Sequence, residues 1–261
     1  MKTTKKAMSG LQQILFLGGL LLLWQVVYTV GVDGLSMWKS YAMPSPVGVA
    51  KSFLSLMESG SLVSAVGNSL ARGAVGYGLS VVLGGILGVL MSHFSFLKRN
   101  VRPLVMGIQT LPSVCWVPFS ILWFGLSQTA ILFVVVMGSA FSMSLAFDNA
   151  ISGVPPIYKK AALTMGAQPG QIYRKVIFPA CLPELISGLK QGWSFAWRAL
   201  MSGEVMTTSV GLGQTLIMGR NLADINQVML VMVVIVLSGI LIDQGVFRTM
   251  EKRILKKRGL L

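Results

Sequence analysis

Hydrophobic residues fall into long runs along this chain, and the short polar stretches between them carry most of the charge. A run of about twenty residues matches a helix crossing the ~30 Å hydrocarbon core of a bilayer, since each residue rises about 1.5 Å. Six such spans are predicted, over residues 11–32, 66–91, 104–122, 129–150, 182–201 and 225–243. The first follows a basic stretch, residues 1–10. That pairing is also found in signal peptides. Here the apolar run is too long and no small-x-small cleavage site follows, so it reads as an uncleaved helix.

The intervening segments carry their own signals. Ser45-Pro46 predicts an N-cap and a first helical residue. Val49, Phe53 and Met57 then share one face opposite Lys51, Ser55 and Glu58, which predicts a short helix lying at an interface or packed on its own protein. The second span contains Gly84 and Gly88 at the GxxxG spacing, which lets another helix approach closely, within the chain or in a dimer. Pro112 and Pro118 interrupt the third span and predict a kink, or a bend beside a pathway. Residues 92–103 are predicted as a loop with Lys98, Arg99 and Arg102. Residues 202–223 form a polar, Gly-rich connection, and Asp224 caps the sixth span.

One polar segment differs from the rest. Residues 154–183 read VPPIYKKAALTMGAQPGQIYRKVIFPACLP. Four cations and breaks at Gly166 and Pro169-Gly170 rule it out as a lipid-spanning helix. Pro155-Pro156 starts a short helix with Ala161, Ala162 and Met165 near one face. After the turn, Ile172 and Val176 flanked by Tyr173 and Ile177 make a second apolar face, while Arg174 and Lys175 point elsewhere. Two short helices at a bend predict a compact knob that seats in a partner's groove.

Composition fixes the class. The chain of 261 residues is 54% hydrophobic and 11% charged, against about 25% charged in a soluble domain. It is predicted to be a single all-α transmembrane domain. The net charge of +14 is spread over span-flanking positions, not gathered into a stripe, which argues against nucleic acid. Lys2, Lys5, Lys6, Lys98, Arg99, Arg102, the knob's cations and the tail 248–261 fall on one side, while Lys39, Lys51 and Arg220 fall on the other. By the positive-inside rule both termini and the knob are cytoplasmic. Cys115 and Cys181 read as core residues, and His93 as solvated or interfacial.

Candidate chemistry is sparse. No GxxxxGK[ST] phosphate loop, HExxH or Ser/His/Asp set is present, so neither a cofactor nor a catalytic centre is predicted. Charges inside spans are costly and face an interior or water. Arg72, Lys190, Arg198 and Glu204 are the candidates. They form a cationic route for an anionic solute, or they snorkel at span ends, with Arg198 and Glu204 paired internally.

The knob's pattern resembles the "EAA" loop of ABC importer permeases: Ala161-Ala162, Gly166 four residues on, then Val176, Phe178 and Pro179. Lys160 stands where that family has Glu. Asn68 to Arg72, Trp123-Phe124-Gly125-Leu126, Trp197 with Glu204, and Gly211-Leu212-Gly213 are similar to the nitrate/sulfonate/taurine branch. The resemblance implies a type I importer fold in a bacterial inner membrane. It implies two permease subunits, expected to be identical, two cytoplasmic ATPase subunits and an external solute-binding protein. It implies that the loop at Ile157, Tyr158, Lys159, Lys160, Ala161, Ala162, Met165 and Gly166 couples to the ATPase. Arg72, Arg198 and Glu204 are then candidate pathway residues. An ion-coupled transporter is the alternative, with Asp148 and Asp243 as its nearest coupling carboxylates; a membrane enzyme lacks its polar constellation.

Overall fold

The computed structural model describes residues 2–39 and 41–257, and every regular element among them is helical. Met1 of the expected N-tail and residues 258–261 of the expected basic tail lie outside the described residues. The α-helices are α1 (Lys2–Tyr28), α2 (Pro46–Glu58), α3 (Ser61–His93), α4 (Ser95–Gln109), α5 (Val117–Phe124) and α6 (Gln128–Ser152). They continue as α7 (Pro156–Thr164), α8 (Pro169–Ile172), α9 (Phe178–Val205), α10 (Leu212–Asn221), α11 (Ile225–Ile242) and α12 (Arg248–Lys257). The chain groups into two compact units, residues 1–64 with 215–234, and residues 65–214 with 235–261.

In the first unit, the apolar stretch Leu15–Gly34 is almost wholly uncovered by protein, as expected of a helix clad in lipid. α2 begins as the sequence predicts. Ser45 is extended, its Oγ accepts from the Gly48 N–H at 2.9 Å, and Pro46 opens the helix. Asn226 Oδ1 accepts from the Ser45 N–H at 2.9 Å. Gly48 is needed beside it, because a Cβ there would fall 2.5 Å from the Asn226 side chain. Asp224 Oδ1 caps α11 by accepting from the Gln227 N–H at 3.0 Å.

The second unit is built on close helix packing. α6 and α9 run antiparallel, and small residues bring them together along their length: Gly188 on Ala146, Gly192 on Met143, Gly138 on Ala199 and Gly203 on Ile131. α3 lies parallel to α6 in a steady register. Gly76 meets Val135, the Ser139 hydroxyl donates to Ser80 Oγ at 2.7 Å, and Gly84 and Gly88 face the α6 backbone at Ala140 and Ser144. The GxxxG pair therefore serves packing inside the chain. Residues 235–247 run antiparallel to α9: the Trp197 indole donates to the Ile235 carbonyl at 3.2 Å, and Lys190 pairs with Asp243 at 3.1 Å.

Three expectations need correction. Residues 95–109 are helical, so Lys98, Arg99 and Arg102 sit on α4 and not in a loop. The third span is not a kinked rod. α4 and the stretch Ser113–Phe124 meet at a 99° bend, because Pro112 has no N–H to continue the helix and restricts Leu111 before it. Residues 202–223 contain α10. The bent pair is a broken crossing and not a re-entrant loop, by a topological argument. α3 and α6 are parallel, so the segment joining them must return to the opposite end of the bundle.

Among the described residues, four helices are long and apolar enough to cross a membrane, and the bent pair taken as one span makes five. α9 is not among them by composition, since it carries Glu184, Lys190, Arg198 and Glu204. It nonetheless runs the length of α6, and Glu204 on it is fully buried. These charges lower the hydropathy average and hide this crossing from composition.

Candidate functional site

The knob follows α6 directly. Pro155 precedes α7 and Pro156 opens it. The helix ends in a Schellman turn: the Gly166 N–H donates to Leu163 O at 2.9 Å, and the Ala167 N–H to Ala162 O at 3.0 Å. Gly166 has φ +78°, a left-handed conformation that costs any L side chain energy. This is why the motif needs glycine there. A second start follows at once, where the Gln168 N–H donates to Gln171 Oε1 at 3.2 Å and Pro169 opens α8.

The two faces of the knob do different work. Ala162 is buried against Ile172 and Ile177, with Ile151, Val154, Ala167 and Val176 packed around them. Only a small side chain lets α7 lie this close to the second helix. Ile157 is 64% exposed, Tyr158 51% and Met165 87%. With exposed Ala161 they form an apolar stripe that no other element covers among the described residues. Lys159 and Lys160 are exposed beside it, and Arg174 and Lys175 on the second helix are exposed too. The predicted loop residues thus divide: Ala162 and Gly166 shape the knob, while Ile157, Tyr158, Ala161 and Met165 are presented. His93, at the end of α3, lies within hydrogen-bond distance of the Tyr173 hydroxyl (3.2 Å) and ties the knob to that helix.

A second polar site lies at the other end of the same bundle. Arg72 Nη1 donates to Glu204 Oε1 at 2.8 Å, and Arg72 Nη2 to the Val210 carbonyl at 2.8 Å. Ser69 Oγ lies 2.8 and 2.7 Å from the two Glu204 oxygens and accepts from the Leu212 N–H at 2.8 Å. The Gly213 N–H donates to Glu204 Oε2 at 3.0 Å. Glycine is required at 211 and 213, because a Cβ at either would fall 2.5–2.6 Å from Glu204 atoms. This knot fastens residues 210–213 across α3 and α9. Three pieces that the sequence presents separately, Ser69 with Arg72, Glu204, and Gly211-Leu212-Gly213, meet in it.

Two expectations change here. Glu204 pairs with Arg72, not Arg198, and Arg72 is buried, not snorkelling. Nearness in sequence within α9 offers the wrong pair, whereas the true one joins residues 132 apart in sequence. Arg198 stays exposed; its Nε donates to Ser194 O at 3.1 Å and its guanidinium lies 4.8 Å from the Phe195 ring centre. It borders a cavity of about 410 Å³ lined also by Trp193, Trp197, Ile235, Gly239 and Asp243. Cys181 is buried as expected, but Cys115 is exposed, just past the bend. Asp148, which the sequence offers only as a coupling carboxylate, is fully buried and ion-paired with Arg102 at 2.9 Å.

The family model described as "binding-protein-dependent transport system inner membrane component" matches residues 80–256. A putative ABC transporter permease of Methanocaldococcus jannaschii is 30% identical over 194 residues, 74% of this chain and 73% of that one. A putative aliphatic sulfonates transport permease of Bacillus subtilis is 27% identical over 98% of this chain and 91% of its own length. The nitrate import permease of a Synechocystis species is 23% identical over 86% of this chain and 82% of its own. Among solved structures, an inward-facing methionine ABC transporter, MetNI, aligns with TM-score 0.63 and 25% identity, covering 74% of this chain and 96% of that one.

Proposed function

This chain belongs to the family of binding-protein-dependent transport system inner membrane components, and we propose that it forms the solute pathway of an ATP-driven importer and is driven through its knob. The observation that carries this reading is the unpartnered stripe of Ile157, Tyr158, Ala161 and Met165 on a knob made rigid by its own small core. An apolar helix face of this kind is a helix-in-groove anchor. The partner is a cytoplasmic ATPase subunit, one for each of two identical permease chains. The knob, both termini and the cations Lys98, Arg99 and Arg102 face the cytoplasm, in keeping with the positive-inside pattern. A solute-binding protein delivers the solute on the other side.

The solute is small and anionic, of the sulfonate or nitrate kind named for two of the relatives. Arg72 and Glu204 neutralise one another and hold the wall of the pathway. Arg198, beside Trp193 and Trp197, is the cation that meets the anion. ATP closure of the two ATPase subunits moves the knobs and switches the bundle between outward and inward access.

Ala161→Asp tests the docking role, since residue 161 is exposed and the change leaves the Ala162 core intact. The full chain is purified with a tag from its native host in mild detergent, and the co-purifying ATPase subunit is quantified. Wild type carries it in stoichiometric amount; the variant, inserted at the wild-type level, loses at least about nine-tenths of it, the loss expected for a charge placed in an apolar anchor. An unchanged ATPase ratio overturns the reading.

A further inference from the structure

The last turn of α6 has two faces with different partners. Ala150 and Ile151 belong to the apolar clusters that seat the knob on the bundle. Asp148, Asn149 and Ser152, on the same turn, hold α4. Asp148 Oδ2 lies 2.9 Å from Arg102 Nε, and its Oδ1 lies 3.9 Å from Lys98 Nζ. Arg102 Nη2 donates to Asn149 Oδ1 at 2.7 Å, Lys98 Nζ to Ser152 Oγ at 2.8 Å, and the Ser152 hydroxyl to Asp148 Oδ1 at 3.1 Å. One buried carboxylate thus gathers two cations from a neighbouring helix.

Beyond α4 the chain turns by 99°. The turn at Thr110–Pro112 is closed by bonds three residues back, Thr110 N–H to Gly107 O and Leu111 N–H to Ile108 O, with the Thr110 hydroxyl also donating to Gly107 O at 2.7 Å. It is a hinge by construction, because the proline supplies no further donor. On its far side the Ser113 hydroxyl lies 3.2 Å from that of Ser202 on α9.

We propose that Asp148, with Arg102 and Lys98, is the linkage that passes displacement of the knob to the broken span. Asp148 is a positioning residue: it touches neither the ATPase nor the solute. When the knob is displaced, the end of α6 moves with it, because Val154 and Ile151 are packed into the knob's core. α4 follows through the ionic clamp, and the hinge converts that motion into a reorientation of residues 113–124 against α6 and α9. A charge clamp suits this task. It holds across a polar interface where an apolar contact between mobile helices would be wet, and burial of the carboxylate makes its release costly. The inference rests on the coupling role proposed for the knob.

Cys115 supplies a native reporter, since it is exposed and lies three residues past Pro112. The full complex with its co-purified ATPase, in a Cys181→Ser background, is placed in lipid nanodiscs. The rate of maleimide labelling at Cys115 is measured without nucleotide and with ATP plus vanadate. In wild type the two rates differ by about tenfold, within the usual range of coupling between sites. In Asp148→Asn and Arg102→Gln the difference falls below about twofold, while the ATPase remains bound and hydrolyses ATP. Arg102→Lys restores part of it. Arg102 is one-third exposed, so its variants insert even where Asp148→Asn does not accumulate. Wild-type rates that do not respond to nucleotide, or an Arg102→Gln response equal to wild type, overturn the proposal. Failure of the knob reading is separate: there Ala161→Asp keeps both its ATPase and its labelling response.

Discussion

The knot at Glu204 makes a quantitative prediction about stability. Glu204 is fully buried and Arg72 nearly so, with side-chain exposures of 0% and 9%. Arg72→Met removes the cation and leaves the carboxylate with only the Ser69 hydroxyl and the Gly213 N–H. Leaving one member of a buried ion pair uncompensated costs about 3–5 kcal/mol. Losing the donor to the Val210 carbonyl adds about 1 kcal/mol. At ~2–4 °C per kcal/mol, the melting temperature falls on the order of 10 °C. Glu204→Gln in the same chain removes the stranded charge and keeps the side-chain shape, so the double variant melts above Arg72→Met alone. The assay is thermal unfolding in detergent, followed by reaction of buried Cys181 with a thiol-reactive fluorophore in a Cys115→Ser background. A single variant that melts with wild type would show the pair contributes nothing. A double variant that loses the sum of the singles would refute the charge argument.

Two further outcomes follow from the glycines. Gly88→Ala sets a Cβ against the Ser144 carbonyl on α6, whereas Gly78 has open space around it; the first loses about 1–3 kcal/mol in the same Cys181 assay and Gly78→Ala melts with wild type. Gly166→Ala forces a left-handed alanine at φ +78°, costing about 1–2 kcal/mol, so amide exchange over residues 162–167 speeds up about tenfold and exchange in α9 stays the same.

Periodicity and local chemistry located most of the helices and the knob, because those features are written in neighbouring residues. The Ser45 cap, the Asp224 cap and the Pro156 helix start each need only three or four positions to be recognised. Gly166 was legible as a break, and the structure supplies the reason. What the sequence hid were contacts between distant residues. Arg72 on α3 and Glu204 on α9 have five helices between them in sequence, and nothing local joins them. Asp148 showed itself only as a charge in an apolar run, and its partners Lys98 and Arg102 were read as a loop's topogenic cations. A rule about membrane sidedness explained those two residues well enough to mask their second role. α9 failed a composition test because its charges lower the hydropathy average, although Glu204 among them is satisfied inside the protein.

The same contacts bear on the two ways such a bundle could be driven. An ion-coupled carrier needs a buried carboxylate that exchanges its proton or sodium ion as the site alternates. Glu184 lies exposed near the start of α9, and the buried or partly buried carboxylates within the spans are Asp148, Glu204 and Asp243. Each lies within an ion-pair distance of a cation: Arg102 at 2.9 Å, Arg72 at 2.8 Å and Lys190 at 3.1 Å. A carboxylate neutralised in this way has no vacancy for a coupling ion unless its partner leaves, and for the buried Glu204 and Asp148 being left uncompensated costs several kcal/mol. The knob, by contrast, offers apolar surface that the chain does not cover. On the proposed reading the drive enters at that uncovered surface, the stripe at Ile157, Tyr158 and Met165.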